Sequence, residues 1–276
     1  MKLWVNGALH DAESARVSVL DHGLTVGDGI FETVKAERGE TFALTLHLER
    51  LTRSARGLGL PDPDLDEVRR AVAAVLEANP MELGRLRITY TGGLSPLGSE
   101  RGDAGPGLVV ALGETRRRPD TTAVITVPWV RNERGALTGL KTTSYAENVV
   151  ALARAHERGA SEALFANTVG QLCEGTGSNV FVVVDGRVLT PPVSSGCLAG
   201  ITRALAAEWT GAEEVDLPLD VLESADEIFL TSTLRDVQAV RRVDDRELSG
   251  APGPVTAKAM RIFEERTARD RDPKLG

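Results

Sequence analysis

The sequence predicts a two-domain chain of mixed α/β (α+β) class, on three observations. Its 276 residues exceed the usual size of a single hydrophobic core. Strand-like hairpins and amphipathic helices alternate along it. A polar, proline-bearing stretch, ETRRRPD (Glu114 to Asp120), interrupts the apolar pattern and reads as a boundary. The expected organisation is a smaller α/β domain over 1–115, a linker over 116–122 and a larger domain over 123–276.

In order, KLWVNG, ARVSVLD and GIFETVKAERGETFAL read as strands, the last a hairpin turning at Arg38-Gly39. Thr45 is placed to cap a helix in which Leu46, Leu48, Leu51 and Leu58 recur roughly at helical spacing. DLDEVRRAVAAVLEAN is a second helix, followed by the strands RLRITYT and GLVVAL. Beyond the boundary come a strand TAVITVPWV, a loop RNERGALTGLKTTS, a helix AENVVALARAHERG and a strand EALFAN. Asp185-Gly186 between NVFVVV and RVLTPP is a two-residue hairpin signal. A helix opens directly after Gly200, DEIFLTSTL and VQAVRRVDD read as late strands, and GPVTAKAMRIFEERTARD closes as an amphipathic helix.

Composition narrows the function classes. A net charge of -8 and a pI near 5.2 lack the electrostatic footprint of phosphate-backbone binding, and acids flank the one basic run. No nucleic-acid partner is expected. The start lacks the apolar stretch of a signal peptide, and no segment approaches the roughly 20 apolar residues of a membrane span; a cytoplasmic protein without a membrane partner is expected. Cys173 and Cys197 form no metal-ligand spacing and read as reduced thiols, so no metal is expected.

Lysine is scarce, and of Lys2, Lys35, Lys141, Lys258 and Lys274 only Lys141 stands in a loop of small residues before a helix. An amine near apolar walls loses some preference for its charged form and can then attack a carbonyl. Glu174 opens EGTGS, a stretch of small residues before a strand that lacks the lysine ending of a nucleotide-binding loop. Gly200, Ile201 and Thr202 stand at a helix start, where free amides favour an anion. Thr231, Ser232 and Thr233 add hydroxyls at a strand end, and Arg50 lies on an amphipathic helix. Taken singly, each has an ordinary reading as a surface residue, cap or turn.

In order, GDGIFET, HLERLTRSA, GLKTTSYAENVVA, EGTGSNVFVV, GITR and FLTST resemble the class IV, or fold-type IV, pyridoxal-phosphate enzymes. These include branched-chain and D-amino-acid aminotransferases and 4-amino-4-deoxychorismate lyase; the resemblance runs from about Asp21 to Thr233. It implies a two-domain fold like that of D-amino-acid aminotransferase, with the cofactor lysine, Lys141, in the larger domain. Glu174 would face the pyridine nitrogen and keep it protonated, which strengthens the ring as an electron sink. Arg50, Ile201, Thr202, Ser232 and Thr233 would hold the phosphate, and Tyr145 would contact the cofactor's phenolic oxygen or serve as core filler. The resemblance also implies a homodimer and a cleft between the domains for cofactor and small-molecule substrate.

Among members of that class, Gly27-Asp28-Gly29 follows the lyase and D-amino-acid pattern. Phe31 stands where D-amino-acid enzymes of the bacillus type carry a tyrosine, and Leu97 near their arginine. RLR (Arg85 to Arg87) lacks the tyrosine of the branched-chain carboxylate motif. The TGGLSPLGSERG loop is similar to that of the lyases, with Arg101 to grip a substrate carboxylate and His22 either lining the substrate side or structural. The resemblance therefore implies a lyase giving 4-aminobenzoate and pyruvate for folate synthesis. The alternatives are a class IV aminotransferase of D- or branched-chain amino acids and, more distantly, a non-catalytic nucleotide- or cofactor-binding module.

Overall fold

The structure, a computed structural model, describes residues 1–276. The chain divides into two compact units, one of residues 1–116, 140–144 and 271–274, the other of 117–139, 145–270 and 275–276. The segment Leu140–Ser144, which carries Lys141, therefore counts with the first unit, where the sequence reading had placed it in the larger C-terminal domain. The cause is hydrogen bonding: Phe31 N donates to Lys141 O at 2.9 Å and Thr143 N to Gly29 O at 2.8 Å.

The first unit contains β1 (Lys2–Val5), β2 (Ala8–Asp11), a one-turn α1 (His22–Thr25), β3 (Gly29–Glu37), β4 (Glu40–Thr41), α2 (Leu44–Leu58), α3 (Leu65–Ala78), β5 (Leu83–Thr91) and β6 (Gly107–Glu114). Its sheet runs β2-β1-β6-β5-β3-β4 with every neighbouring pair antiparallel. Ile30 and Val34 of β3, Leu86 and Ile88 of β5 and Val110 of β6 meet Leu48 and Leu51 of α2 and Val68 and Val72 of α3 in one apolar cluster. Helix α3 starts on Asp64, whose carboxylate accepts from the amides of Asp66 and Glu67, a cap worth about 0.5–2 kcal/mol.

Two local expectations give way here. Thr45 is not a cap: Ala43, at φ 55°, holds the N-cap position of α2 without a side-chain bond, and the carboxylate of Asp272 accepts from Thr45 N at 2.9 Å. The stretch ARVSVLD pairs with no strand, apart from a single bridge at Asp21, and leaves Val17 and Val19 51% and 76% exposed. Alternation alone does not make a strand where no edge is offered.

The second unit continues with β7 (Thr121–Arg131), α4 (Ala146–Glu157), β8 (Glu162–Asn167), β9 (Leu172–Gly175), β10 (Asn179–Val184), β11 (Arg187–Thr190), α5 (Ile201–Thr210), β12 (Glu213–Glu214), α6 (Val221–Ser224), β13 (Glu227–Ser232), β14 (Asp236–Val243), β15 (Arg246–Glu247) and α7 (Pro254–Arg269). Its sheet runs β12-β11-β10-β13-β14-β7-β8-β9, with β15 on β14. It is mixed: β7 lies parallel to β8 and β14, whereas β8–β9, β10–β13 and β13–β14 are antiparallel. The long buried strands carry apolar side chains on both faces, as in Ala123 to Ile125 and Val180 to Val183, and two apolar clusters result. Asp185 and Gly186 both take positive φ, 51° and 75°, the geometry that a two-residue hairpin of this kind demands. No helix is long and apolar enough to cross a membrane.

Candidate active site

In the first unit, His47, Arg50 and Ser54 recur at three and four residues along α2 and so share one stripe of that helix. The stripe meets Glu32 on β3. Arg50 forks onto the carboxylate, Nε to Oε1 at 2.8 Å and Nη2 to Oε2 at 2.7 Å, while His47 Nδ1 lies 2.7 Å from Oε2. All three are buried, at 0% exposure for Glu32, 1% for His47 and 4% for Arg50. Burial alone would raise the Glu32 pKa; the Arg50 charge and the hydrogen bonds outweigh it and bring it to about 2. Burial pushes His47 down, so its neutral Nδ1–H donates to Glu32.

Further along the stripe, Ser54 Oγ accepts from Lys141 N at 3.2 Å. The Lys141 amine sits 4.3 Å from the centroid of the Phe31 ring, and the Arg87 guanidinium 3.7 Å from the same centroid. Phe31, expected on the substrate side, thus lies against the Lys141 amine and presents an apolar face to it.

In the second unit, β9 places Glu174 opposite Phe165 of β8. Its Oε2 accepts from Leu198 N at 2.9 Å, and Arg131 Nε stands 3.3 Å from Oε1 as an ion pair. Arg131 is fixed by its guanidinium on the Phe165 ring, 4.0 Å to the centroid, and by Nη1 donating to Glu147 at 2.8 Å. Tyr145, half-buried, is hydrogen-bonded to Asn148; burial and the nearby Glu174 charge push its phenol up, so it stays protonated. Asn148 in turn donates to Thr176 O at 2.6 Å. Beneath that turn, buried Glu162 accepts from Thr176 N at 2.9 Å, Thr176 Oγ1 and Ser178 Oγ at 2.8 Å, with Arg235 3.5 Å away.

Helix α5 begins at Gly200 with no side-chain cap, which leaves the amides of Ile201 and Thr202 for another acceptor. A Cβ on Gly200 would run into Asn179 Oδ1, and Asn179 pairs across the sheet with Thr231. The Thr231 hydroxyl is buried without a partner, and Ser232 and Thr233 follow it at the strand end. An uncapped helix start, hydroxyls beside it and a carboxylate held by an amide and a guanidinium are the donor set that pyridoxal phosphate calls for.

The family model "Amino-transferase class IV" matches residues 29–243. The chain belongs to the class IV aminotransferase family. A Methanocaldococcus jannaschii protein provisionally named a branched-chain-amino-acid aminotransferase is 34% identical, with 96% of each chain covered. A D-alanine aminotransferase of Staphylococcus haemolyticus is 30% identical over 95% of this chain and 96% of its own. A solved Legionella pneumophila chain, provisionally named a 4-amino-4-deoxychorismate lyase, superposes with a TM-score of 0.86 at 26% identity, over 92% of this chain and 97% of its own. The family is one of enzymes that use pyridoxal phosphate, and the fold is the fold-type IV architecture.

Two residues expected on the substrate side, Arg101 and His22, are engaged within the fold. Arg101 forks onto Asp28, Nε to Oδ2 and Nη2 to Oδ1 at 2.7 Å each, and also donates to the carbonyls of Leu58 and Gly59. Those bonds fix the loop rather than leaving a guanidinium for a carboxylate. His22 has both ring nitrogens engaged, by Asp28 and Gly98 O, which favours the structural role. Glu32, His47, Arg131 and Glu162 escaped the sequence reading. The signal for Glu32 was an acid in the middle of an otherwise buried strand, and for His47 its place three residues before Arg50.

Proposed function

We propose that the enzyme is an aminotransferase, moving an amino group between an amino acid and a 2-oxo acid. Support for this over the lyase comes from Arg101, whose donors are taken up by Asp28 and two carbonyls. The loop that suggested aminodeoxychorismate therefore offers no grip for that substrate's carboxylate. The relatives named for amino transfer to branched-chain amino acids and D-alanine support the same reading.

When bound, pyridoxal phosphate supplies an electrophilic carbonyl and an electron-accepting ring. Lys141 would supply the amine that holds it, and the same amine, when neutral, would serve as the base that takes a proton from the substrate's α-carbon. Phe31 keeps water from one side of that amine. Glu174, held by Leu198 N and Arg131, would pair with the ring nitrogen, and Tyr145, which stays protonated, would donate a hydrogen bond to the cofactor's ring oxygen. Ile201, Thr202, Ser232 and Thr233 would hold the phosphate with amides and hydroxyls, and Arg50, oriented by Glu32, would add its charge.

The test is a paired assay of the cofactor-loaded enzyme. Amino transfer from a panel of D- and L-amino acids to 2-oxoglutarate is expected. Formation of 4-aminobenzoate from aminodeoxychorismate without any 2-oxo acid, with no transfer in the panel, would replace this reading by the lyase.

A further inference from the structure

One short stretch of backbone holds the lysine segment of the first unit. Besides the bonds from Phe31 N to Lys141 O and from Thr143 N to Gly29 O, Thr143 Oγ1 and Ser144 Oγ donate to Gly27 O at 3.0 and 3.2 Å. Gly27 has φ +71°, and a Cβ there would lie 2.7 Å from Ser144 Oγ, so the approach is open to glycine alone. Where residues 27–31 go, Lys141 follows.

Asp28 sits in the middle of that stretch. Its N–H donates to His22 O at 3.2 Å and its carbonyl accepts from Gly92 N at 2.9 Å. Its carboxylate receives the Arg101 fork and lies 2.9 Å from His22 Nδ1. Arg101 is itself braced on the end of α2, at the carbonyls of Leu58, its last residue, and Gly59 just after it. The remaining ring nitrogen, His22 Nε2, lies 2.9 Å from Gly98 O.

A neutral imidazole carries a single N–H, yet here each ring nitrogen faces an acceptor that has no proton to give. Both contacts are hydrogen bonds only when His22 is an imidazolium. The bonds to Asp28 and Gly98 O raise its pKa from the ordinary value, against burial and the Arg101 charge. Arg101 and His22 in turn hold the Asp28 carboxyl below its usual range. Asp21, the neighbouring acid, is committed to Gly23 N and Thr91 Oγ1.

We propose that Asp28, gripped by the His22 imidazolium and the Arg101 guanidinium, is a positioning residue for Lys141, so that the order of the lysine segment depends on the protonation of His22. The inference rests on Lys141 being the cofactor lysine, as proposed above. A group whose pKa is raised on folding gives its full contribution below its unfolded pKa and loses it as pH climbs through the folded value. Deprotonation turns one ring lone pair toward Asp28 or Gly98 O, and the stretch 27–31 keeps Arg101 as its charged clamp alone.

The experiment measures amide exchange of residues 141–144 in the holoenzyme between about pH 6 and pH 9, with kcat and KM over the same range, for wild type, Asp28→Asn and His22→Gln. In wild type, the exchange of Thr143, corrected for intrinsic base catalysis, should step up above the ordinary histidine range as kcat steps down. His22→Gln should lack both steps, and Asp28→Asn should exchange about tenfold faster at neutral pH, with kcat down about tenfold and KM little changed. Steps that persist in His22→Gln, or Thr143 exchange unaltered in Asp28→Asn, would overturn the proposal. So would an equal rise at Leu86, Ile88 and Val110, which would make Asp28 a support of the whole unit. A covalent cofactor band surviving in Lys141→Ala would instead sink the cofactor-lysine reading, while the exchange data still decide whether Asp28 orders the segment.

Discussion

Glu32→Gln changes one oxygen for an amide nitrogen at a carboxylate with 0% exposure, and its cost follows from the structure. The Arg50 fork and His47 bring the Glu32 pKa from 4.5 to about 2, which corresponds to about 3 kcal/mol of folding free energy carried by the ionised form. Removing one partner of a buried ion pair is independently expected to cost about 3–5 kcal/mol, because the surviving cation is left without its counterion. Urea unfolding at neutral pH should therefore show the variant destabilised by about 3 kcal/mol, a midpoint lower by roughly 1–2 M at an ordinary slope. The sign of the pH dependence is fixed too. A depressed carboxylate stabilises above its unfolded pKa of 4.5 and loses that contribution as pH falls toward 2, so the gap between wild type and Gln should close over that window. A difference under about 1 kcal/mol at neutral pH, or a gap independent of acid, would refute this account of the triad.

Other expectations concern the chemistry. Lys141→Ala should abolish the covalent cofactor absorbance and lower turnover by roughly 10²–10⁴, assayed by single-turnover amino transfer. Glu174→Gln keeps an oxygen for Leu198 N but removes the charge, and a loss of kcat of about 10²–10³ with near-wild-type melting is expected. Both thiols are buried, and burial pushes Cys173 far up and Cys197 up to about 11. A thiol reagent at neutral pH should find neither in the native enzyme and both after unfolding.

What the sequence made legible was whatever is local. The hairpin at Asp185-Gly186 needs two consecutive positive φ angles, which that pair adopts at little cost, and the helix after Gly200 announces itself by its apolar spacing. The start of α2 was misread because its capping carboxylate, Asp272, lies 227 residues away in the chain. The engagement of Arg101 within the fold was not legible for a related reason. Its partner Asp28 is 73 residues distant, and an arginine in a glycine-rich loop looks the same in sequence whether it faces substrate or its own fold. Lys141 stood out in the sequence through its surroundings of small residues and the ordered motifs, whereas Glu32 was passed over because its strand also carries Lys35 and Glu37, and the sequence does not mark which charged residue meets an arginine.

A common device recurs in each unit. Glu32 pairs with Arg50, Asp28 with Arg101 beside Gly29, Glu162 with Arg235 near the turn after Glu174, and Glu174 itself with Arg131. Buried or half-buried ion pairs are poor sources of stability, since desolvation offsets most of their attraction and an apolar pair of similar volume does as well. What an apolar pair lacks is direction: a forked guanidinium fixes a carboxylate to within a few tenths of an ångström, whereas leucines tolerate slippage. The proposed amino transfer would need its amine and its carboxylate each held in a set direction, since a small misplacement costs rate steeply. Arginine, which outnumbers the few lysines of this chain, suits that demand because it stays charged in places where a buried lysine would give up its proton. The scarcity that made Lys141 conspicuous in the sequence thus has a structural counterpart, in that arginines form the ion pairs that fix geometry in both units.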